Sequence, residues 1–255
     1  MSEVCNFNAG PAMLPRAVLQ RVQSELIDYH GKGMSIMEMS HRSKEYEAVN
    51  ANAEATFKRL LGIDKDYRVL FVQGGASTQF AMVPMNFLPA GATADYLITG
   101  LWAEKAFEEA ALLGKPTQAA STKEGGYRRM PTNEELRLTP NAAFVHYTTN
   151  ETVQGTQFHA IPEVGDRPLV ADMSSDIFSR PFDASKFSLI YAGAQKNLGP
   201  SGVTVVLLRE SWLEKANKGV PTMLRYATHV KNNSLYNTPP SFGVYVLGLV
   251  LEWIE

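Results

Sequence analysis

Short apolar runs alternating with helical periods constrain this chain more than any other feature. Residues 68–72, 95–98, 143–146, 169–171, 189–192 and 203–208 are each too short for a helix and apolar on both faces. Strands read this way when helices cover both sides of a mostly parallel sheet. Between them, helical spacing predicts helices over 78–88, interrupted by Pro84, and over 103–113. Two more precede the first strand. One spans 15–29, with Pro15 in its first turn and Gly31 and Gly33 beyond its end; the other spans 43–61, with Tyr46, Val49, Ala53, Phe57 and Leu60 in register and Gly62 as its stop. A last helix covers 241–255. The order is that of βαβ units in an α/β protein, and 255 residues suffice for one large domain.

Composition excludes several classes of function. The 24 Lys and Arg balance 26 Asp and Glu without a long run of either sign, which leaves no electrostatic footprint for nucleic acid. The longest apolar stretch, 242–254, is shorter than the roughly 20 residues that span a bilayer, so no membrane partner is expected. Cys5 is the single cysteine. It rules out an internal disulfide framework and a cysteine-based metal cluster and suits a reducing compartment, so a cytoplasmic protein without a metal site is expected.

Ligands of open α/β sheets sit beyond the carboxyl ends of the strands, so the residues just after each apolar run carry the chemistry. Run 189–192 leads into Gly193-Ala194-Gln195-Lys196-Asn197, a lysine among small residues at a buried strand end. Keeping a lysine neutral at pH 7 costs about 4 to 5 kcal/mol, and bonding to a cofactor aldehyde removes that burden; a loop lysine pointing to water is the competing reading. Run 169–171 ends at Asp172, placed to pair with a protonated ring nitrogen or to cap Met173-Ser174-Ser175. After Val72, Gln73-Gly74-Gly75-Ala76-Ser77-Thr78 opens a helix and offers backbone N–H groups to an anion, although it lacks the lysine of a P-loop and the spacing of a dinucleotide fingerprint. Trp102 is positioned either to stack on a planar ring or to pack in the core, and Thr152 either to donate to a ring oxygen or to serve a turn.

These residues lie within a longer set of strings: Asn6-Phe7-Asn8-Ala9-Gly10-Pro11-Ala12, Ser40-His41-Arg42-Ser43, Gly74-Gly75, His146-Tyr147, Asn150-Glu151-Thr152, Ala171-Asp172-Met173-Ser174-Ser175, Ala194-Gln195-Lys196-Asn197 and Tyr236-Asn237-Thr238-Pro239-Pro240. Together they closely resemble the phosphoserine aminotransferase family, in class V of the type I pyridoxal 5′-phosphate (PLP) enzymes. The resemblance implies the PLP-binding large domain of the type I transferase fold: a mostly parallel mixed sheet flanked by helices, over 15–255, with residues 1–14 as an arm contributing to a small domain or dimer. It implies that Lys196 is the Schiff-base lysine, Asp172 the partner of the ring nitrogen, Trp102 the stacking group and Thr152 the donor to the ring hydroxyl. Ala76, Ser77, Ser174 and Gln195 would complete the cofactor site, and Asn237 and Thr238 would reach the cofactor phosphate of the other subunit in a homodimer with shared active sites. His41 and Arg42 would recognise the phosphate of phosphoserine or the distal carboxylate of glutamate.

The implied reaction is ping-pong transfer of the amino group from L-glutamate to 3-phosphohydroxypyruvate, giving 2-oxoglutarate and O-phospho-L-serine, in serine and pyridoxine biosynthesis. Family members continue into a smaller C-terminal domain that supplies an arginine for the substrate α-carboxylate, and no such segment is present here, so a shortened chain that binds cofactor yet turns over poorly is expected. Some members carry an arginine where this chain has Ala76 and Ser77. The rival readings are an aminotransferase with another acceptor, a cysteine desulfurase, for which Cys5 lacks the context, and a non-catalytic binding or scaffold module.

Overall fold

A computed structural model of the chain describes residues 4–63 and 65–255; residues 1–3 of the expected N-terminal arm lie outside the described residues. After an irregular start come helices α1 (Arg16–Glu25) and α2 (Lys44–Leu61), strand β1 (Tyr67–Val72), α3 (Gly75–Phe87), β2 (Asp95–Ile98), α4 (Leu101–Leu113), β3 (Thr117–Ser121) and β4 (Val145–Thr148). The hairpin strands β5 (Asn150–Glu151) and β6 (Thr156–Gln157) follow, then β7 (Leu169–Asp172), β8 (Leu189–Gly193), the short α5 (Ala194–Asn197), β9 (Thr204–Arg209), α6 (Glu210–Leu213), α7 (Tyr226–Lys231) and α8 (Ser241–Ile254).

Seven strands form one sheet in the order β1-β9-β8-β7-β4-β2-β3. Pairings from β8 through β7, β4 and β2 to β3 are parallel, and β9 alone runs against its neighbours β8 and β1. This is the mostly parallel mixed sheet expected from the apolar runs. The two-residue side-chain period sorts each strand onto two cores. Val69, Phe71, Ala171, Ile190 and Leu207 pack with Ala53 and Phe57 of α2 and Val244, Leu247 and Leu251 of α8. Leu70, Val72, Val170, Leu189, Tyr191 and Val206 face Phe80 and Val83 of α3 and Ala106 and Ala110 of α4. Because both layers depend on α8 or α3 filling a preformed surface, truncating the fully buried Leu247 to Ala is expected to cost about 2 to 5 kcal/mol in denaturant unfolding.

The structure corrects several boundaries. Helix α1 stops at Glu25 rather than at Tyr29, where a separate short turn begins. Helix α2 is as expected, capped by Ser43 Oγ accepting from Tyr46 N and closed by Gly62 in the left-handed region. Helix α3 starts three residues earlier than expected and runs through Pro84 without a break. Helix α4 starts at Leu101, which brings Trp102 into its first turn. The edge strand β3, Thr-Gln-Ala-Ala-Ser, was missed because its composition is that of a loop.

Candidate active site

The informative residues lie at the carboxyl ends of the parallel strands. On β7, Asp172 shares the face of Val170, towards α3 and α4, and its backbone registers with Tyr191 on one side and Thr148 on the other. One strand over, β8 ends at Gly193 and the chain turns at once into α5, which carries Lys196. Ser174 joins the two: its backbone N and Oγ donate to Asp172 Oδ1 at 2.9 and 2.6 Å, and its Oγ accepts from Gly193 N at 3.0 Å. Asp172 thus ends its strand and caps the turn that follows, one of the two roles the sequence offered for it.

Lys196 is half-buried, and its Nζ donates to Thr152 Oγ1 at 2.5 Å and lies 5.1 Å from the centre of the Trp102 ring. Burial lowers the Lys196 pKa, opposed by the carboxylates of Asp172 and Glu151. Burial raises the Asp172 pKa, opposed first by the Ser174 hydrogen bonds and then by Lys196. A half-buried amine with a lowered pKa beside an aromatic face and a buried carboxylate has the makings of a nucleophile and a proton carrier.

These groups line one cavity of about 110 Å³. Of the residues expected at a site, Ala76, Ser77, Trp102, Asp172, Ser174, Gln195 and Lys196 line it, and Thr152 joins through Lys196. Helix α3 points its first turn there. Its N-cap Gly74 has φ of 91° and offers no side-chain cap, which leaves the first-turn amides for an anion. A Cβ on Gly74 would collide with the Thr78 side chain, so glycine is required twice over at this position. The cavity does not include Asn237 and Thr238, which sit on the outer side of the same glycine turn, where Gln73 Nε2 donates to Thr238 O at 3.4 Å. His41 and Arg42, ahead of α2, are likewise absent from it. The N-terminal arm closes the other side of Lys196: Ala12 N donates to Gln195 O at 2.8 Å, and a Cβ on Gly10 would lie 2.9 Å from Lys196 Cγ.

The sequence reading gave no role at the site to Thr148, Asn150 and Ser175, which line the cavity, or to Glu151, which lies fully buried just behind it. Glu151 accepts from Trp102 N at 3.1 Å and Ala103 N at 3.0 Å. Burial carries its pKa up to about 7, with a further push from Asp172. A carboxyl raised above the ordinary range favours the fold below about pH 4.5, and that contribution is lost as pH rises through 7. Asp172, Lys196, Tyr127 and Tyr191 share its electrostatic surroundings. In pH-dependent denaturation of cofactor-free protein, the wild type is expected to lose up to about 3 kcal/mol relative to Glu151→Gln between pH 4.5 and 8. No such difference would place the carboxyl in water.

The chain belongs to the class-V aminotransferase family, whose pattern matches residues 4–255, and its fold is that of the type I PLP-dependent transferases. It is 65% identical over 252 residues to phosphoserine aminotransferase of Herpetosiphon aurantiacus, covering 99% of this chain and 70% of that protein. The solved phosphoserine aminotransferase of Bacillus circulans subsp. alkalophilus superposes with a TM-score of 0.95 at 60% identity, over 98% of this chain and 69% of that one. A PLP-bound phosphoserine aminotransferase from Trichomonas vaginalis superposes with a TM-score of 0.91 at 36% identity, over 98% of this chain and 70% of its own.

Proposed function

We propose that this chain is a PLP-dependent phosphoserine aminotransferase, moving the amino group of L-glutamate onto 3-phosphohydroxypyruvate to give O-phospho-L-serine. The observation that carries the reading is the meeting of Lys196, Trp102 and Asp172 in one cavity at the ends of adjacent strands, in a chain so similar to enzymes of that name.

The residues present fit the cofactor. The first turn of α3 is uncapped and opens on the cavity; both hydrogen bonds to the Asp172 carboxylate fall on Oδ1; and an aromatic ring lies beside the reactive amine. Ala76, Ser77 and Gln195 would hold the cofactor phosphate, Asp172 its ring nitrogen, Thr152 its ring hydroxyl and Trp102 its face. When bound, the cofactor supplies an aldehyde carbon for the incoming amine and a ring that draws off the electrons of a substrate carbanion. Asp172 would favour a proton on the ring nitrogen, and a cation there would oppose the effect of burial on the carboxyl. Lys196 would bind the cofactor covalently through Nζ and, as a free amine, would carry the proton removed from the substrate α-carbon. Thr152, already bonded to that amine, orients it. Ser174 fixes the Asp172 carboxylate through Oδ1.

His41 and Arg42 lie away from this chain's cavity, as do Asn237 and Thr238. That separation supports a homodimer in which these residues complete the other subunit's site, with a planar guanidinium for the phosphate or distal carboxylate of substrate. No helix among the described residues is long and apolar enough to cross a membrane, and we place the enzyme in the cytoplasm. Mixing cofactor-loaded protein with O-phospho-L-serine is expected to discharge the visible aldehyde band within one half-reaction, whereas alanine and serine at equal concentration leave it. Equal discharge by alanine would assign another substrate class.

A further inference from the structure

We infer that Glu151 is a positioning residue: seated on the amino end of α4 in the space that Gly100 leaves, it holds Trp102 against Lys196 and ties that ring to Thr152. The inference rests on the cofactor reading above, in which Trp102 covers the ring face.

The indole Nε1 of Trp102 is buried without a hydrogen-bond partner, and the polar groups near its ring are the flexible ammonium ends of Lys105 and Lys196, so no side-chain hydrogen bond sets its place. The ring goes where the backbone of residues 101–103 sends it. That backbone is the first turn of α4, and its N-cap, Gly100, has no side chain to satisfy the exposed amides. The hairpin of β5 and β6 supplies the cap from a distance: Glu151 Oε2 accepts from Trp102 N, Glu151 Oε1 from Ala103 N, and Gln154 Oε1 from Leu101 N at 3.3 Å. Thr99 Oγ1 adds a weaker bond at 3.5 Å. Gly100 is extended, so its backbone would admit any residue. Its requirement is steric, because a Cβ there would stand 2.5 Å from Glu151 Cδ and 2.6 Å from Gln154 Oε1.

A serine or aspartate at the N-cap is the ordinary way to satisfy such amides, but position 100 is buried beneath Glu151 and Gln154. Burying a carboxylate to do so is the more costly solution. What the distant cap adds is register. Thr152, the residue after Glu151, bonds Lys196 Nζ, so one rigid hairpin sets both the ring that would cover the cofactor and the hydroxyl that orients the reactive amine. The hairpin itself is anchored on its outer side, where Gln157 Nε2 and Thr149 Oγ1 both donate to Asp176.

The test is a double-mutant cycle on cofactor affinity, read by absorption titration of cofactor-free protein with PLP. Glu151→Ala and Trp102→Ala are each expected to weaken binding about ten- to a hundredfold, the range for losing an aromatic side chain stacked on a planar ring. The double variant should be no weaker than the worse single, because the two act through one ring. Gly100→Ala should reproduce the Glu151→Ala loss and add nothing to it, and Glu151→Gln, which keeps shape and one acceptor, should recover part of it. Additive losses, or wild-type affinity in Glu151→Ala and Gly100→Ala, overturn the inference. Trp102 emission, isolated from Trp212 and Trp253 by subtracting the Trp102→Ala spectrum, is read on the same cofactor-free proteins. It should change between wild type and Glu151→Ala or Glu151→Gln, and identical spectra overturn the inference even if no preparation takes up PLP, a result that would instead sink the cofactor reading.

Discussion

Lys196→Ala is expected to abolish transamination while the protein keeps its fold. The loss of a positioned proton carrier alone costs about 10²- to 10⁴-fold, and the covalent attachment of the cofactor goes with it, so the loss of turnover should reach or exceed the upper end of that range. Stability should scarcely move. Lys196 is half-buried, and its one side-chain hydrogen bond goes to a threonine hydroxyl that can turn to another partner. Its removal takes a cation from beside the buried Asp172 and Glu151 carboxyls, which burial already drives towards their neutral forms, so a change of no more than about 1 kcal/mol is expected. Steady-state rates beside a thermal unfolding curve check both halves. Loss of folding in this variant would make the lysine structural.

Asp172→Asn should separate function from stability in the opposite sense. The carboxylate would hold a charge on the cofactor ring, and breaking a buried charge pair costs about 3 to 5 kcal/mol, or two to four orders of magnitude in rate or affinity. The cofactor-free fold should be as stable as wild type at neutral pH, or more so. Burial raises the Asp172 pKa, so the fold prefers the protonated form and loses that preference as pH rises. Asparagine removes the charge and keeps an oxygen at Oδ1 for the two bonds from Ser174. An Asp172→Asn variant that is less stable at pH 7 yet turns over normally would contradict both claims.

Much of this architecture was legible in the sequence because parallel strands buried on both faces cannot hide their apolar character. Six of the seven sheet strands announced themselves that way, and the residues just beyond them led directly to Lys196, Asp172 and the glycine turn before α3. The edge strand β3 did not, since only Ala119 of its five residues is buried and the rest is polar or small. Pro84 looked like a break in α3, but a proline costs a helix chiefly one hydrogen bond and a local clash, and packing of Phe80, Met82, Val83 and Phe87 against the sheet carries the helix through. Glu151 stayed invisible for a different reason. A glutamate is almost never fully buried, and nothing in its neighbours' identities reports that it meets the amino end of a helix about fifty positions earlier in the chain. Strand ends are read locally; a long-range cap is seen only in three dimensions.

Reductive trapping tests the central claim most directly. Borohydride added to protein saturated with PLP, followed by proteolysis and mass spectrometry, should fix the cofactor's mass on Nζ of Lys196 and on no other lysine. Trapping at another side chain, or none at saturation, would contradict the account.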